Sequence, residues 1–264
     1  TVKRAVEYNC SLAPTTKEEA EEIYDNIFNL RQFVSGRTFW VGGTKVSEKF
    51  ACSNFNCAAE LIDNIKAFED LFYLLMIGSG VGIRLLKEDV EKLPYFKVNF
   101  NLINEAYHPI EKRKRTDNTS LVFDPDSKSI VKIIVGDSKE GWVKSLSYFL
   151  SILTDHSFRD INTIIINYDN VRPKGEKLKT FGGTASGYDS IMNMFNKIAK
   201  LLKKYNHDKE KVKLKPIDCL DICTMIGENV VVGGVRRTAM IALIDSDDEE
   251  CIKAKNNLYI NNNG

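Results

Sequence analysis

Residues 131–135 (VKIIV) and 161–166 (INTIII) are two β-branched runs, and the stretch between them carries Trp142, Leu146, Phe149 and Leu153 at helical spacing. Asp137 or Ser138 is placed to cap that helix. Strand, helix, strand over this length is the crossover unit of a parallel or mixed sheet, so the fold class is α/β. The remaining chain agrees with that class. Thr16-Lys17-Glu18-Glu19 reads as a capping box opening a helix to about Val34, with Ile23, Ile27, Leu30 and Val34 on one face. Further helices are expected over residues 65–77, 188–205 and 217–226, with extended chain at 230–232 and a strand at 240–244. Residues 35–44 and 50–59 read as strand ends feeding loops. Residues 91–128 read as polar and irregular, with the charge run 111–115 on a solvated face.

Glycine-bearing segments punctuate these elements: Gly42-Gly43, Gly78 to Gly82, Gly182-Gly183 and Gly233-Gly234. Their alternation with strands and helices suggests loops gathered at one rim of a sheet. One of them lies in the run 172–187 (RPKGEKLKTFGGTASG), where Arg172, Lys174, Lys177 and Lys179 face a lone Glu176. Glycines let backbone N–H groups converge on an anion, and hydroxyls and lysines add donors and charge, so the composition suits phosphate. The same composition also fits a solvated loop with a glycine turn, since no Gly-Lys-Ser/Thr triplet closes it. The run follows the second strand of the crossover unit, at the strand end where α/β folds bind ligands.

A net charge of +1 over 264 residues argues against a general nucleic-acid binder and favours a small phosphorylated ligand at a local basic site. No apolar stretch reaches the length of a membrane span, and the N-terminus lacks a signal-peptide layout, so the expected compartment is the cytosol. The six cysteines (Cys10, Cys52, Cys57, Cys219, Cys223, Cys251) show neither a disulfide framework nor zinc-ligand spacing. No metal site is expected. Cys219 and Cys223 share a helical face and read as core residues.

Six phrases carry a family likeness: SGRTFWVGGT, SNFNCAAE, IGSGVGIRL, IIVGDSKEGW, DNVRPKGEKLKTFGGTASG and GENVVVGGVRRTA. Together they resemble the cobalamin-dependent, monomeric (class II) ribonucleotide reductases that act on ribonucleoside triphosphates, over nearly the whole chain. The resemblance implies half of a ten-stranded α/β barrel with an effector-site insertion. Residues 1–92 and 181–264 would form the half barrel, and 93–180 the insertion that substitutes for a dimer interface at the effector site. It implies replacement of the ribose 2′-OH by hydrogen through a radical mechanism, with adenosylcobalamin as cofactor, a deoxynucleotide as effector and a thioredoxin-type protein as reductant.

By the same resemblance Cys57 matches the N-terminal member of the reducing cysteine pair. Taken alone, a single cysteine is more often a small buried hydrophobe. Thr38, Asn56 and Gly80 match positions lining the ribose and phosphate site. Gly233, Gly234, Arg236 and Arg237 match the loop between effector base and substrate base. Lys174, Gly182 and Gly183 are the phosphate-region candidates, and Asp137 with Ser138 fits either an N-cap or an effector contact.

The family's radical cysteine lies in an Asn-x-Cys-x-Glu pattern that does not occur here. The expectation is therefore a fragment or split subunit that needs a complementary C-terminal half for turnover and is inactive alone, the cofactor being held mainly by that half. The alternative is a non-catalytic, effector-sensing nucleotide-binding module.

Overall fold

The computed structural model describes residues 1–177, 184–205, 210–231, 238–254 and 256. Four helices open the chain: α1 (Val2–Ser11), α2 (Lys17–Phe28), α3 (Gly36–Val41) and α4 (Lys45–Lys49). The capping box at Thr16 forms as expected, with Glu19 returning the bond to the cap. The helix it opens stops at Phe28, short of Val34. There Asn29 Nδ2 donates back to the Asp25 carbonyl at 2.9 Å and carboxylate at 2.7 Å, and Leu30 turns to a φ of 58°. Local side-chain bonds thus end a helix that its apolar spacing would have continued.

Residues 36–41 correct the expectation of a strand end. Ser35 Oγ accepts from Thr38 N at 3.2 Å and caps α3, so the aromatic pair Phe39-Trp40 sits in a helical turn. A single 3₁₀ turn at 51–54 then leads into β1 (Cys57–Leu61). Next come α5 (Lys66–Met76), β2 (Gly80–Arg84), α6 (Lys87–Val90), β3 (Phe96–Lys97), β4 (Asn101–Asn104), β5 (Ser120–Phe123), β6 (Ile130–Ile134), α7 (Lys139–Thr154) and β7 (Thr163–Asn167). The chain continues through α8 (Asp189–Lys203), β8 (Lys211–Val212), α9 (Pro216–Val231), β9 (Met240–Leu243) and α10 (Glu249–Lys253).

Among the described residues two sheets carry the architecture. One has three strands in the order β1-β2-β9, all parallel. The other has four in the order β4-β7-β6-β5, with β5 antiparallel at the edge and the other pairs parallel. β3 and β8 make a short antiparallel ribbon. The crossover unit read from the sequence is β6-α7-β7, and its strands pair in parallel. The stretch expected to be irregular contains β3, β4 and β5, strands too short for a period-two pattern to register.

Burial alternates along the strands. Val81 and Ile83 of β2, Val131 and Ile133 of β6, and Ile164 and Ile166 of β7 are all buried, while their neighbours are half-exposed. Each sheet therefore has one face in the core. Helices α5, α7, α8 and α9 fill the space between, joined by α5 against α7 and α8 against α9, with Phe68, Phe72, Phe149 and Phe195 fully buried there. α9 begins on a proline and keeps Cys219, Ile222, Cys223 and Ile226 on its buried stripe. It runs on through Val230 and Val231, where extended chain was expected; Val230 packs against the core, and that contact overrides its β propensity.

Gly136 and Gly141 flank the turn into α7 where no side chain fits. A Cβ on Gly136 would lie 2.3 Å from the Asp117 carbonyl oxygen, and one on Gly141 2.5 Å from the same atom. Ser138 caps α7 by accepting from Gly141 N at 2.8 Å.

Candidate active site

Cys57 is the first residue of β1, and its Cα pairs with that of Gly80 at the start of β2. Strand alternation puts Cys57, Ala59 and Leu61 on the face opposite the helices, beside Gly80, Gly82 and Arg84. Ile241 and Leu243 of β9 continue that face and are 67% and 57% exposed. A Cβ at Gly80 would approach nothing closer than 3.7 Å, and one at Gly82 nothing closer than 3.6 Å. The fold itself tolerates a methyl group at both positions. What their bareness provides is room directly beside the exposed Cys57 thiol.

The loop before Cys57 is tied to the turn before β2. Gly80 N donates to the Asn56 carbonyl at 2.8 Å, and Ser79 Oγ donates to the Phe55 carbonyl at 3.0 Å. Arg37 of α3 closes the bracket: Nε donates to Asn56 Oδ1 at 3.1 Å, one terminal nitrogen to the carbonyls of Ser53 and Ile77 at 3.1 and 3.2 Å, and the other to the Gly78 carbonyl at 2.7 Å. Thr38 follows in the first turn of α3, its Oγ1 3.1 Å from Ser35 Oγ. Thr38, Asn56, Cys57 and Gly80 are thereby gathered at one edge of the sheet. Arg37 was missed at the sequence level, because an arginine between a glycine and a threonine carries no sign that it will bind two separate loops.

The other described cysteines differ in kind. Cys219, Cys223 and Cys251 are buried. Burial holds the thiols of Cys219 and Cys223 well above the usual thiol range, and burial together with Asp248 pushes Cys251 up to about 11. Such thiols stay protonated near neutral pH and are poor nucleophiles. Cys52 and Cys57 are exposed.

The basic run sits, as expected, just beyond the C-terminal end of β7. Its described part is held by a cluster of ion pairs. Arg172 Nε donates to Asp137 Oδ1 at 2.8 Å, Arg115 pairs with Glu176 at 2.8 Å, and Arg115 also lies 3.7 Å from Asp137. Asp137 is thus the anchor of Arg172, and Ser138 alone is the cap. Gly175 N donates to the Ala185 carbonyl, Ala185 N to the Glu176 carbonyl, and Lys177 bridges Thr184, so the run doubles back as a hairpin. Lys174 is exposed on it. Gly182, Gly183, Gly233, Gly234, Arg236 and Arg237 lie outside the described residues.

Comparison with known proteins bears on all of this. A family model described as the insertion domain of B12-dependent ribonucleotide reductase matches residues 98–202, and one for the ribonucleotide reductase alpha domain matches residues 1–44. The adenosylcobalamin-dependent ribonucleoside-triphosphate reductase of Lactobacillus leichmannii is 30% identical over 97% of this chain and 39% of its own length. That of Euglena gracilis is 29% identical over 92% of this chain and 29% of its own. A crystal structure of a B12-dependent (class II) ribonucleotide reductase superposes with a TM-score of 0.78 at 26% identity, covering 96% of this chain and 39% of that one. The chain spans 39% of the length of the Lactobacillus leichmannii relative. The two family models, the relatives and the superposed structure agree, and the chain belongs to the B12-dependent, class II ribonucleotide reductase family.

Proposed function

We propose that this chain supplies the N-terminal half of the catalytic barrel of a ribonucleoside-triphosphate reductase, with Cys57 as one of the two thiols that reduce the ribose. The observation that carries the reading is Cys57 itself, exposed at the start of a parallel strand beside Gly80 and Gly82, which leave room for a sugar. In the net reaction two thiols give two hydrogens and two electrons: the C2′–OH bond is replaced by C2′–H, water leaves, and the thiols become a disulfide. The second thiol, the radical cysteine and a complementary C-terminal half come from outside this chain. A thioredoxin-type dithiol then reduces the disulfide.

Thr38, Asn56 and Gly80 line the ribose and phosphates in this reading. A hydroxyl, an amide and a bare backbone are suited to that task. The four-stranded sheet lies within residues 101–167 and supports a division into a half barrel (1–92, 181–264) and an insertion (93–180) that takes part in the effector site. Lys174, Gly182 and Gly183 serve that region's phosphates, and Gly233, Gly234, Arg236 and Arg237 form the loop that senses a deoxynucleotide effector. The relatives are adenosylcobalamin-dependent by name, and that cofactor, when bound, supplies the radical. Its cobalt arrives already coordinated by the corrin ring, so what it needs from a protein is a broad surface that encloses the macrocycle, and the described residues beside Cys57 offer an open sheet face instead. Its holding residues are therefore assigned to the complementary half, and no step here runs through it.

The test is reconstitution. With a polypeptide carrying the complementary half, adenosylcobalamin and a dithiol, triphosphate reduction is expected, and Cys57→Ser is expected to abolish it while leaving nucleotide binding intact. Nucleotide binding without turnover in the reconstituted protein would instead identify an effector-sensing module.

A further inference from the structure

We infer that Arg37 is a positioning residue that fixes the polarity of the contact Asn56 makes with the ligand; the inference rests on the reading of this sheet edge as a ribonucleotide site. A guanidinium only donates hydrogen bonds. The Asn56 atom that faces Arg37 Nε at 3.1 Å is therefore the carbonyl oxygen, and the amide cannot flip without placing its own N–H groups against a cation. The main chain of Asn56 is fixed as well, since its carbonyl accepts from Gly80 N at 2.8 Å. Asn56 is exposed at the sheet edge. With Oδ1 turned to the guanidinium, the end of the amide directed away from it is Nδ2, a donor, and the atom it meets is an acceptor such as a phosphate or hydroxyl oxygen of the nucleotide.

Arg37 itself spends four of its five N–H groups inside the protein, unlike the phosphate ligand that an arginine beside such a site would suggest. Its Nε and both terminal nitrogens already donate to Asn56, Ser53, Ile77 and Gly78, and its guanidinium carbon lies 5.7 Å from the centre of the Trp40 ring. These acceptors come from the loop before β1 and from the turn after α5. One side chain thus sets the spacing of the two strand starts that carry Cys57 and Gly80, and does so from a third element, α3. Lysine cannot reproduce this: it has one nitrogen and no planar fork with which to reach four acceptors in three directions.

The test uses the whole native protein and reads the site locally, as protection of Cys57 from iodoacetamide by CTP, with the alkylated peptide identified by mass. Arg37→Met and Asn56→Ala are each expected to raise the CTP concentration giving half-protection about tenfold, and the double variant by about the same tenfold, because the two residues act as one unit. Arg37→Lys is expected not to rescue. Losses that multiply to about a hundredfold in the double variant would show that the residues act independently, and would overturn the inference. Asn56→Asp guards against a misfolded Arg37 variant: it keeps an acceptor for Arg37 and replaces the donor by a carboxylate oxygen with its negative charge. It is expected to unfold at the native temperature and bind CTP no better than Asn56→Ala; native affinity in this variant would also overturn the inference. Absence of any CTP protection in the unsubstituted protein would remove the nucleotide reading and the inference together, whereas protection with independent losses removes the inference alone.

Discussion

Gly80 and Gly136 show how differently two glycines can be constrained. At Gly136 the Asp117 carbonyl oxygen stands 2.3 Å from where a Cβ would be, a contact that backbone must move to relieve. Gly136→Ala is expected to cost about 2–4 kcal/mol, in the range of overpacked and strained sites, as read by urea unfolding. At Gly80 and Gly82 the nearest atoms are 3.7 and 3.6 Å away. Alanine at either is expected to leave stability within about 1 kcal/mol of the native chain, because a methyl group fits and the unfolded state loses freedom. Nucleotide protection of Cys57 should nevertheless fall in both alanine variants, since the methyl enters the space beside the thiol. A loss of stability that tracks the loss of protection would mean the glycines serve the fold. Cys57 and Gly80 stand out in the sequence because their phrases carry the family likeness, whereas Arg37 does not. Its role depends on acceptors 16, 19, 40 and 41 residues away in the chain, which no local pattern encodes.

Elements were legible where a period had room to declare itself. α5, α7 and α8 run 11, 16 and 15 residues, long enough for their apolar stripes to mark them. α3 is 6 residues, less than two turns, and only its cap at Ser35 separates it from a strand end. Caps therefore matter most for the short elements, and Ser138→Ala at the start of α7 is expected to cost about 1 kcal/mol, the usual loss for an N-cap. The hairpin after β7 depends instead on charge. The hydrogen bond from Arg115 holds the Glu176 carboxyl below its ordinary value of 4.5, so the folded form binds its proton less readily than the unfolded form. That stabilisation is fully present above the ordinary value and is lost as pH falls through the depressed one. Hydrogen-exchange protection at Gly175 and Ala185, corrected for intrinsic rate, is expected to drop on acidification below 4.5. In Glu176→Gln the protection should be lower at neutral pH and no longer fall with acid; an unchanged acid profile would place the dependence elsewhere.

At the scale of the whole molecule, the two sheets meet through their helices and turn their other faces outward. On the three-stranded sheet that outward face carries two large apolar side chains next to Arg84, with Ile241 at 67% and Leu243 at 57% exposure. Large apolar side chains aligned on one sheet face mark an interaction surface more strongly than the same residues scattered singly. In the proposed reading the complementary half covers this face and brings the second thiol to Cys57. The double variant Ile241→Lys/Leu243→Lys separates cover from core. Both side chains already stand in solvent and lysine is well tolerated on an edge strand. The chain's own unfolding free energy is therefore expected to shift by no more than about 1 kcal/mol for these exposed positions. Association with the complementary half should weaken by about a hundredfold or more, because two ammonium groups would have to be buried against an apolar partner surface. Calorimetric titration of the complementary half into native and substituted protein reads the second effect, and urea unfolding reads the first. Native-like association in the double variant would show that the partner docks elsewhere, and Cys57 would then need its second thiol delivered past an uncovered sheet.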